Sequence, residues 1–171
     1  MRTRGFEKVS VLEFKKRAGQ LSLSPERLYN DIVLPTRASL GSAGYDFYVI
    51  TKFVIKPGET KVIPTGIKAY MDFDEYLGIY IRSSLALKHG IVLTNNVGII
   101  DSDYYDNRDN EGHIMISITN TSDKPYDFEK GDKIAQGIFQ KYYIIDEDVV
   151  VGKRKGGIGS SGKENQDCLW K

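Results

Sequence analysis

The chain has 171 residues, 40% of them hydrophobic and 27% charged, with a formal net charge of +1. That length suits one domain with its own core, and the near-neutral balance gives no global pull toward a polyanion; only Lys153-Arg154-Lys155 forms a local basic run, so no direct nucleic-acid partner is expected. Cys168 is the sole cysteine, which excludes an intrachain disulfide and argues against a cysteine-based zinc site, while the absence of a membrane-length apolar run or signal-peptide core reads as a soluble protein suited to a reducing cytoplasm, with no membrane partner.

Gly5–Phe14 predicts a first strand, with Phe6, Val9 and Val11 as β-type side chains. Residues 15–30 read as a surface excursion, in which Ser24-Pro25-Glu26 resembles a helix start with Ser24 as N-cap. From Asp31 the pattern is strand and turn. Ile32-Val33-Leu34 ends at Pro35, and Tyr45–Ile55 stops at the Lys56-Pro57-Gly58 turn. Val62-Ile63 and Ile67–Met71 follow. Leu77, Ile79 and Ile81 alternate with Gly78, Tyr80 and Arg82, the period of a half-buried strand, and Ile114, Ile116 and Ile118 repeat it. Only Ser84–His89 looks helical here. Turns at Asp123-Lys124-Pro125 and Glu129–Asp132 lead into a last strand, Lys133–Tyr143. Many short strands at close spacing predict an all-β sandwich or barrel over 31–145, between an N-terminal segment (1–30) and a C-terminal arm (146–171).

The stretch Asn95–Tyr105, N-N-V-G-I-I-D-S-D-Y-Y, carries the clearest chemistry. Asn95-Asn96 tolerates a tight turn between Ile91–Leu93 and Val97–Ile100, which predicts a hairpin. Asp101 closes the apolar run. A carboxylate at such a rigid place suits a general base that activates water; it equally suits the opening of a solvated turn with Asp103. The glycine-rich Gly152–Gly162 reads either as a flexible linker or as backbone folded over a phosphate.

Five patches share small residues, hydroxyls, amides and single charges: Ala38–Asp46, Arg82-Ser83-Ser84-Leu85-Ala86, Asn95–Tyr105, Gly131-Asp132-Lys133-Ile134-Ala135-Gln136, and Lys153–Gly162. In this order and at these spacings they resemble the five motifs of the trimeric dUTPases, over roughly Ile32 to Gly162. That resemblance implies a β-clip, distorted jelly-roll barrel with one short helix, assembled as a homotrimer. It implies hydrolysis of dUTP to dUMP and pyrophosphate with magnesium, which limits uracil in DNA and supplies dUMP. It also places the sites between subunits, with the glycine-rich arm as a lid.

The resemblance assigns roles residue by residue. Asp101 activates the water that attacks the α-phosphorus. Tyr104 packs on the deoxyribose and excludes a 2′-hydroxyl, with Tyr105 beside it as the other choice of tyrosine. Asn95, with backbone groups of the turn including Gly98, pairs with uracil, an amide offering both donor and acceptor. Arg82, Ser83, Ser84 and Gln136 bind phosphate, and Asp46 acts near the metal through coordinated water. In the fifth patch Lys153 or Arg154 meets the γ-phosphate, and Gly157, Ile158 and Ser160 close over the substrate.

Three features depart from the family pattern. Ile158 stands where a phenylalanine usually stacks on uracil, so only apolar covering remains. Lys153 takes the usual arginine position, with Arg154 one place later. Tyr105–Glu111 is an insertion, read as a solvated loop extension rather than an added metal or partner site. His89 and His113 have no metal-ligand spacing and read as ordinary surface or sheet residues. Among rival readings, a deoxycytidine triphosphate deaminase on the same fold needs a glutamate near Ser117, where there is no carboxylate. A nucleotide-responsive interaction protein could use residues 15–30 and the insertion as its surface. A purely structural jelly roll leaves the five patches unexplained.

Overall fold

The computed structural model describes residues 2–18, 24–150, 154, 156 and 157. The elements run β1 (Gly5–Lys8), α1 (Val11–Ala18), α2 (Pro25–Asn30), β2 (Thr36–Arg37), β3 (Tyr45–Tyr48), β4 (Phe53–Ile55), β5 (Thr60–Pro64) and β6 (Ile67–Tyr70). They continue with β7 (Glu75–Ile81), α3 (Ser83–His89), β8 (Ile91–Leu93), β9 (Gly98–Asp101), a 3₁₀ turn (Ser102–Tyr104), β10 (Met115–Asn120), β11 (Tyr126–Phe128) and β12 (Lys133–Lys141).

A five-stranded sheet in the order β2-β3-β12-β7-β9 faces a three-stranded sheet β5-β10-β8 across a shared core, with the pairs β1-β6 and β11-β4 completing the body. The alternation seen in the sequence sets the faces. Leu77 and Ile79 of β7 and Ile116 and Ile118 of β10 are buried, as are Phe47, Ile91 and Ile134. Each fully buried isoleucine or leucine contributes about 1.5–3 kcal/mol, so this core is the main stabilising force. Phe6 of β1 packs on Tyr45, Phe47 and Phe139 at centroid distances of 5.3–5.7 Å, which fastens the N-terminal strand to the large sheet.

The all-β core and α3 agree with the sequence reading, but four local expectations need correction. The first strand stops at Lys8. Ser10 then caps α1, its Oγ accepting a hydrogen bond from Glu13 N at 3.1 Å, so the spacing that suggested a longer strand lies in a helix with buried Phe14 and Ala18. There are accordingly three helices among the described residues rather than one, and α2 begins at Pro25 behind Ser24 without a side-chain cap bond. Ile32 is buried, yet its segment is not a strand. Tyr45–Ile55 breaks into β3 and β4, because Val49 turns aside to exchange backbone bonds of 2.8 Å with Gly131 and Asp132.

The fourth correction matters for the site. The Asn95-Asn96 turn closes no two-stranded ladder: β8 pairs with β10, and β9 with β7. With Asn96 at φ 61°, a conformation asparagine tolerates, the turn passes the chain from one sheet to the other. The strand periods on either side were legible, but their partners were not.

Candidate active site

β9 lies antiparallel on the edge strand position beside β7, with Ile79 opposite Gly98 and Tyr76 opposite Asp101. This register leaves Asp101 at the strand's end, its side chain 50% exposed, followed at once by the 3₁₀ turn that carries Asp103 and Tyr104. Between the sheets opens a cavity of about 280 Å³, lined on its polar side by Asn95, Gly98, Asp101, Tyr104, Ser117 and Arg154. Ile79, Leu93 and Met115 are among its apolar walls. A small concave site with a few convergent polar groups is the usual form of a small-molecule pocket.

Arg154, one of the two residues expected to meet the γ-phosphate, here sits on the carboxylates of this cavity. Its Nη2 donates to Asp101 Oδ2 at 2.5 Å and its Nε to Asp103 Oδ1 at 2.9 Å, so one guanidinium bridges both carboxylates. Nη1 reaches Gly157 O at 3.5 Å, and the guanidinium carbon stands 5.4 Å from the centre of the Tyr104 ring. Burial pulls the Arg154 pKa down, but the Asp103 hydrogen bond and the charges of both aspartates outweigh it, and the net shift is upward. Tyr104 is 5% exposed, and burial raises its phenol pKa, so the hydroxyl stays neutral. That oxygen donates to His113 O at 3.1 Å and accepts from Asn110 Nδ2 at 2.7 Å. Tyr105 points elsewhere, its hydroxyl 2.6 Å from Glu7 Oε2 and its ring absent from the cavity lining. Of the two tyrosines, Tyr104 faces the cavity.

A second group gathers at the far end of β7. Asp46 on β3 is 2% exposed and takes a hydrogen bond from Arg82 Nη1 on Oδ1. Its Oδ2 lies 2.7 Å from Lys133 Nζ, an ion contact whose angle leaves that oxygen without a hydrogen bond. Arg82 is the N-cap residue of α3, and Ser83 and Ser84 form that helix's exposed first turn. Gln136 pairs with Asp46 across β12 and β3 and packs against Gly44, where a Cβ would stand 2.4 Å from Gln136 Oε1. Glycine at that position makes room for the amide. Arg82, Ser84 and Lys133 line an open hollow of about 400 Å³. Donors of this kind at a helix start suit phosphate oxygens.

The predicted residues thus fall into two sets. Asn95, Gly98, Asp101, Tyr104, Arg154 and Gly157 come together at one end; Asp46, Arg82, Ser83, Ser84 and Gln136 come together at the other. Asp101 stands opposite Tyr76, while Arg82 follows Ile81, six residues further along the same strand direction, a span of about 20 Å. Among the described residues no hydrogen bond or ion pair joins the sets. Lys153, Ile158 and Ser160 lie outside the described residues.

Several residues in and around the site were not singled out from sequence. Lys133 shares Asp46 with Arg82. His113, expected as an ordinary surface or sheet residue, is fully buried, with Nε2 accepting from Gly66 N at 2.8 Å and Nδ1 3.4 Å from Glu13 Oε1. The Tyr105–Glu111 insertion is not a solvated loop, because Asn107 and Asn110 are buried in it. The Asn-x-x-Asn spacing and the Ser10-x-x-Glu13 capping pattern were the available signals.

A family model described as dUTPase matches residues 30–162. The deoxyuridine 5′-triphosphate nucleotidohydrolase of Lactococcus lactis subsp. lactis (strain IL1403) is 43% identical over 164 residues, covering 95% of this chain and 99% of the relative. The crystal structure of dUTPase from Streptococcus mutans superposes with a TM-score of 0.66 at 37% identity, covering 83% of this chain and 98% of that one. A mutant dUTPase from phage phi11 of S. aureus, solved to show the coordination of a structural Mg(II) ion, superposes at 0.64 over 88% of this chain and 98% of its own. At 19% identity that likeness bears on the fold alone. The barrel described above is therefore the β-clip, jelly-roll type expected from the sequence.

Proposed function

We propose that this chain, which belongs to the dUTPase family, hydrolyses dUTP to dUMP and pyrophosphate by attack of water on the α-phosphorus. The observation that carries the reading is the cavity in which Asn95, Asp101 and Tyr104 converge. The base enters between the two sheets, where Asn95 and the backbone at Gly98 meet its polar edge. Tyr104 offers the sugar an aromatic ring whose hydroxyl is already engaged. Asp101 accepts the proton of the attacking water; Arg154 occupies only Oδ2, which orients the carboxylate and leaves Oδ1 for that transfer. Arg82, Ser83, Ser84 and Gln136 receive the phosphate chain, with Arg82 oriented by Asp46.

The separation of the two residue sets supports a homotrimer in which Asp101 of one subunit works with Arg82 of another. Magnesium is the cofactor of this reading, carried on the substrate's phosphates, whose charge it offsets. Asp46 does not fit a direct ligand, since its buried carboxylate already holds Arg82 and Lys133. The carboxylate cluster that the described residues do form, Asp72, Asp74 and Glu75, is engaged by Arg4 and Lys141. A cytoplasmic location belongs to the same proposal; among the described residues no helix is long and apolar enough to cross a membrane. Deamination is not favoured, because Ser117 lines the cavity and hydrogen-bonds Thr94 at 2.9 Å in place of the required carboxylate.

The test is pyrophosphate release from dUTP, dCTP, dTTP and UTP, with magnesium and with chelator, beside Asp101→Asn. Selective, magnesium-dependent turnover of dUTP is expected, with roughly a 10²–10⁴-fold loss in Asp101→Asn. Binding of dUTP without turnover would refute the catalytic reading, and ammonia release from dCTP would replace it.

A further inference from the structure

We propose that the Tyr105–Glu111 insertion is a positioning device, in which Asn110 anchors Tyr104 and the Asp109-Asn110 edge seats Gly157 of the C-terminal arm. The inference rests on the dUTP reading above and adds a specificity role for residues outside the five motifs.

The amide of Asn110 has only one way to point. Its Oδ1 accepts from Asn107 Nδ2 at 2.8 Å and from Gly112 N at 3.1 Å, which leaves Nδ2 to donate to the Tyr104 hydroxyl. Asn107 is held in turn: its Nδ2 also donates to Tyr104 O at 2.8 Å, and its Oδ1 accepts from the backbone of Asp109 and Asn110. Every polar atom of both amides is used, and Asn110 is 4% exposed. A buried network satisfied this fully resists displacement. With His113 O accepting from it, the Tyr104 hydroxyl has a partner on each side, so the ring cannot slide without breaking buried bonds.

The loop itself is tied to the N-terminal segment. Ser10 N and Oγ donate to the Glu111 carboxylate at 2.7 and 2.6 Å, Tyr105 donates to Glu7, and Lys68 Nζ lies 2.5 Å from Asp106 Oδ1. A rigid base then meets the arm. A Cβ on Gly157 would stand 2.7 Å from Asp109 Oδ2 and 3.1 Å from Asn110 Nδ2, so a larger residue would have to push the exposed Asp109 carboxylate aside and press on the buried Asn110 amide. Arg154 lies over the same Tyr104 ring. One short insertion therefore fixes the ring that lines the cavity and receives Gly157, beside the Arg154 that lies over that ring.

A ring held in one place rejects a 2′-hydroxyl by leaving no space for it, and a loosened ring yields. The experiment compares kcat/KM for dUTP and UTP in the wild type, Asn110→Ala, Tyr104→Phe and the double variant, with unfolding midpoints alongside. Each single variant should lower the dUTP/UTP ratio by about tenfold, and the double variant should lose no more than either alone. A ratio that holds in a folded Asn110→Ala, or losses that multiply in the double variant, would overturn the anchoring role. Gly157→Ala, which leaves the loop's own bonds in place, tests the seat: KM for dUTP should rise about tenfold with an unchanged unfolding midpoint. An unchanged KM would overturn the seat. A wild type that does not turn over dUTP would fail the functional reading itself, separately from these comparisons.

Discussion

At Asp46 a buried carboxylate faces two cations, Arg82 and Lys133, whose side chains are 30% and 38% exposed. Replacing it with asparagine keeps the shape and removes the charge that aims Arg82. Because both cations retain access to water, the stability loss should be modest, about 1–2 kcal/mol by denaturant unfolding. The kinetic loss should appear mainly in KM for dUTP, rising severalfold, since Arg82 would no longer be held toward the phosphates. An unchanged KM would assign Asp46 to folding alone. The residue pattern around Asp46 was legible as a motif, but its pairing was not, because Asp46, Arg82 and Lys133 meet only through the β3-β12-β7 register.

At the scale of elements, β1 and α1 decide how the N-terminal segment contributes. Arg4, just ahead of β1, forks onto Glu75 at the start of β7 with bonds of 2.9 and 2.6 Å. Those hydrogen bonds hold the Glu75 carboxyl below the usual glutamate range, against the opposing effect of burial. A folded pKa below the unfolded value, about 4.3, means the contribution is complete above that pH and is lost as pH falls through the folded value. Chemical denaturation followed from pH 6 down to about pH 3 should therefore show a steeper loss of stability in the wild type than in Glu75→Gln. Equal slopes would mean that the Arg4 pair adds nothing to folding. The N-terminal elements were the least legible part of the chain. Phe6, Val9 and Val11 fit a strand as well as a strand-to-helix junction, and the cap at Ser10 becomes decisive only when Glu111, a hundred residues away, holds it.

At the scale of the molecule, the two residue sets stand about 20 Å apart along β7, too far for one chain to bring Asp101 and Arg82 to one phosphate. A closed trimer repeats the same interface three times and can join them. Light scattering should then give three times the 19.3 kDa chain mass. A sharper check mixes Asp101→Asn with Arg82→Ala after unfolding and refolding together. Each alone should keep only residual activity, yet every mixed trimer would hold one site with both residues intact, and roughly a quarter of wild-type activity should return. No recovery would place the whole site within a single chain.

Strand periods and turn residues determined the all-β class, and the five spaced patches the candidate base Asp101 and the family resemblance, because side-chain alternation and backbone tolerance are local properties that a sequence displays directly. Partnership was decided only by the tertiary structure. It separated β8 from β9, set Tyr104 rather than Tyr105 on the cavity wall, laid Arg154 across Asp101 and Asp103, and turned the insertion from a solvated loop into a buried amide network. Each of these depends on a contact between residues distant in the chain, and such a contact exists only once the sheets have packed.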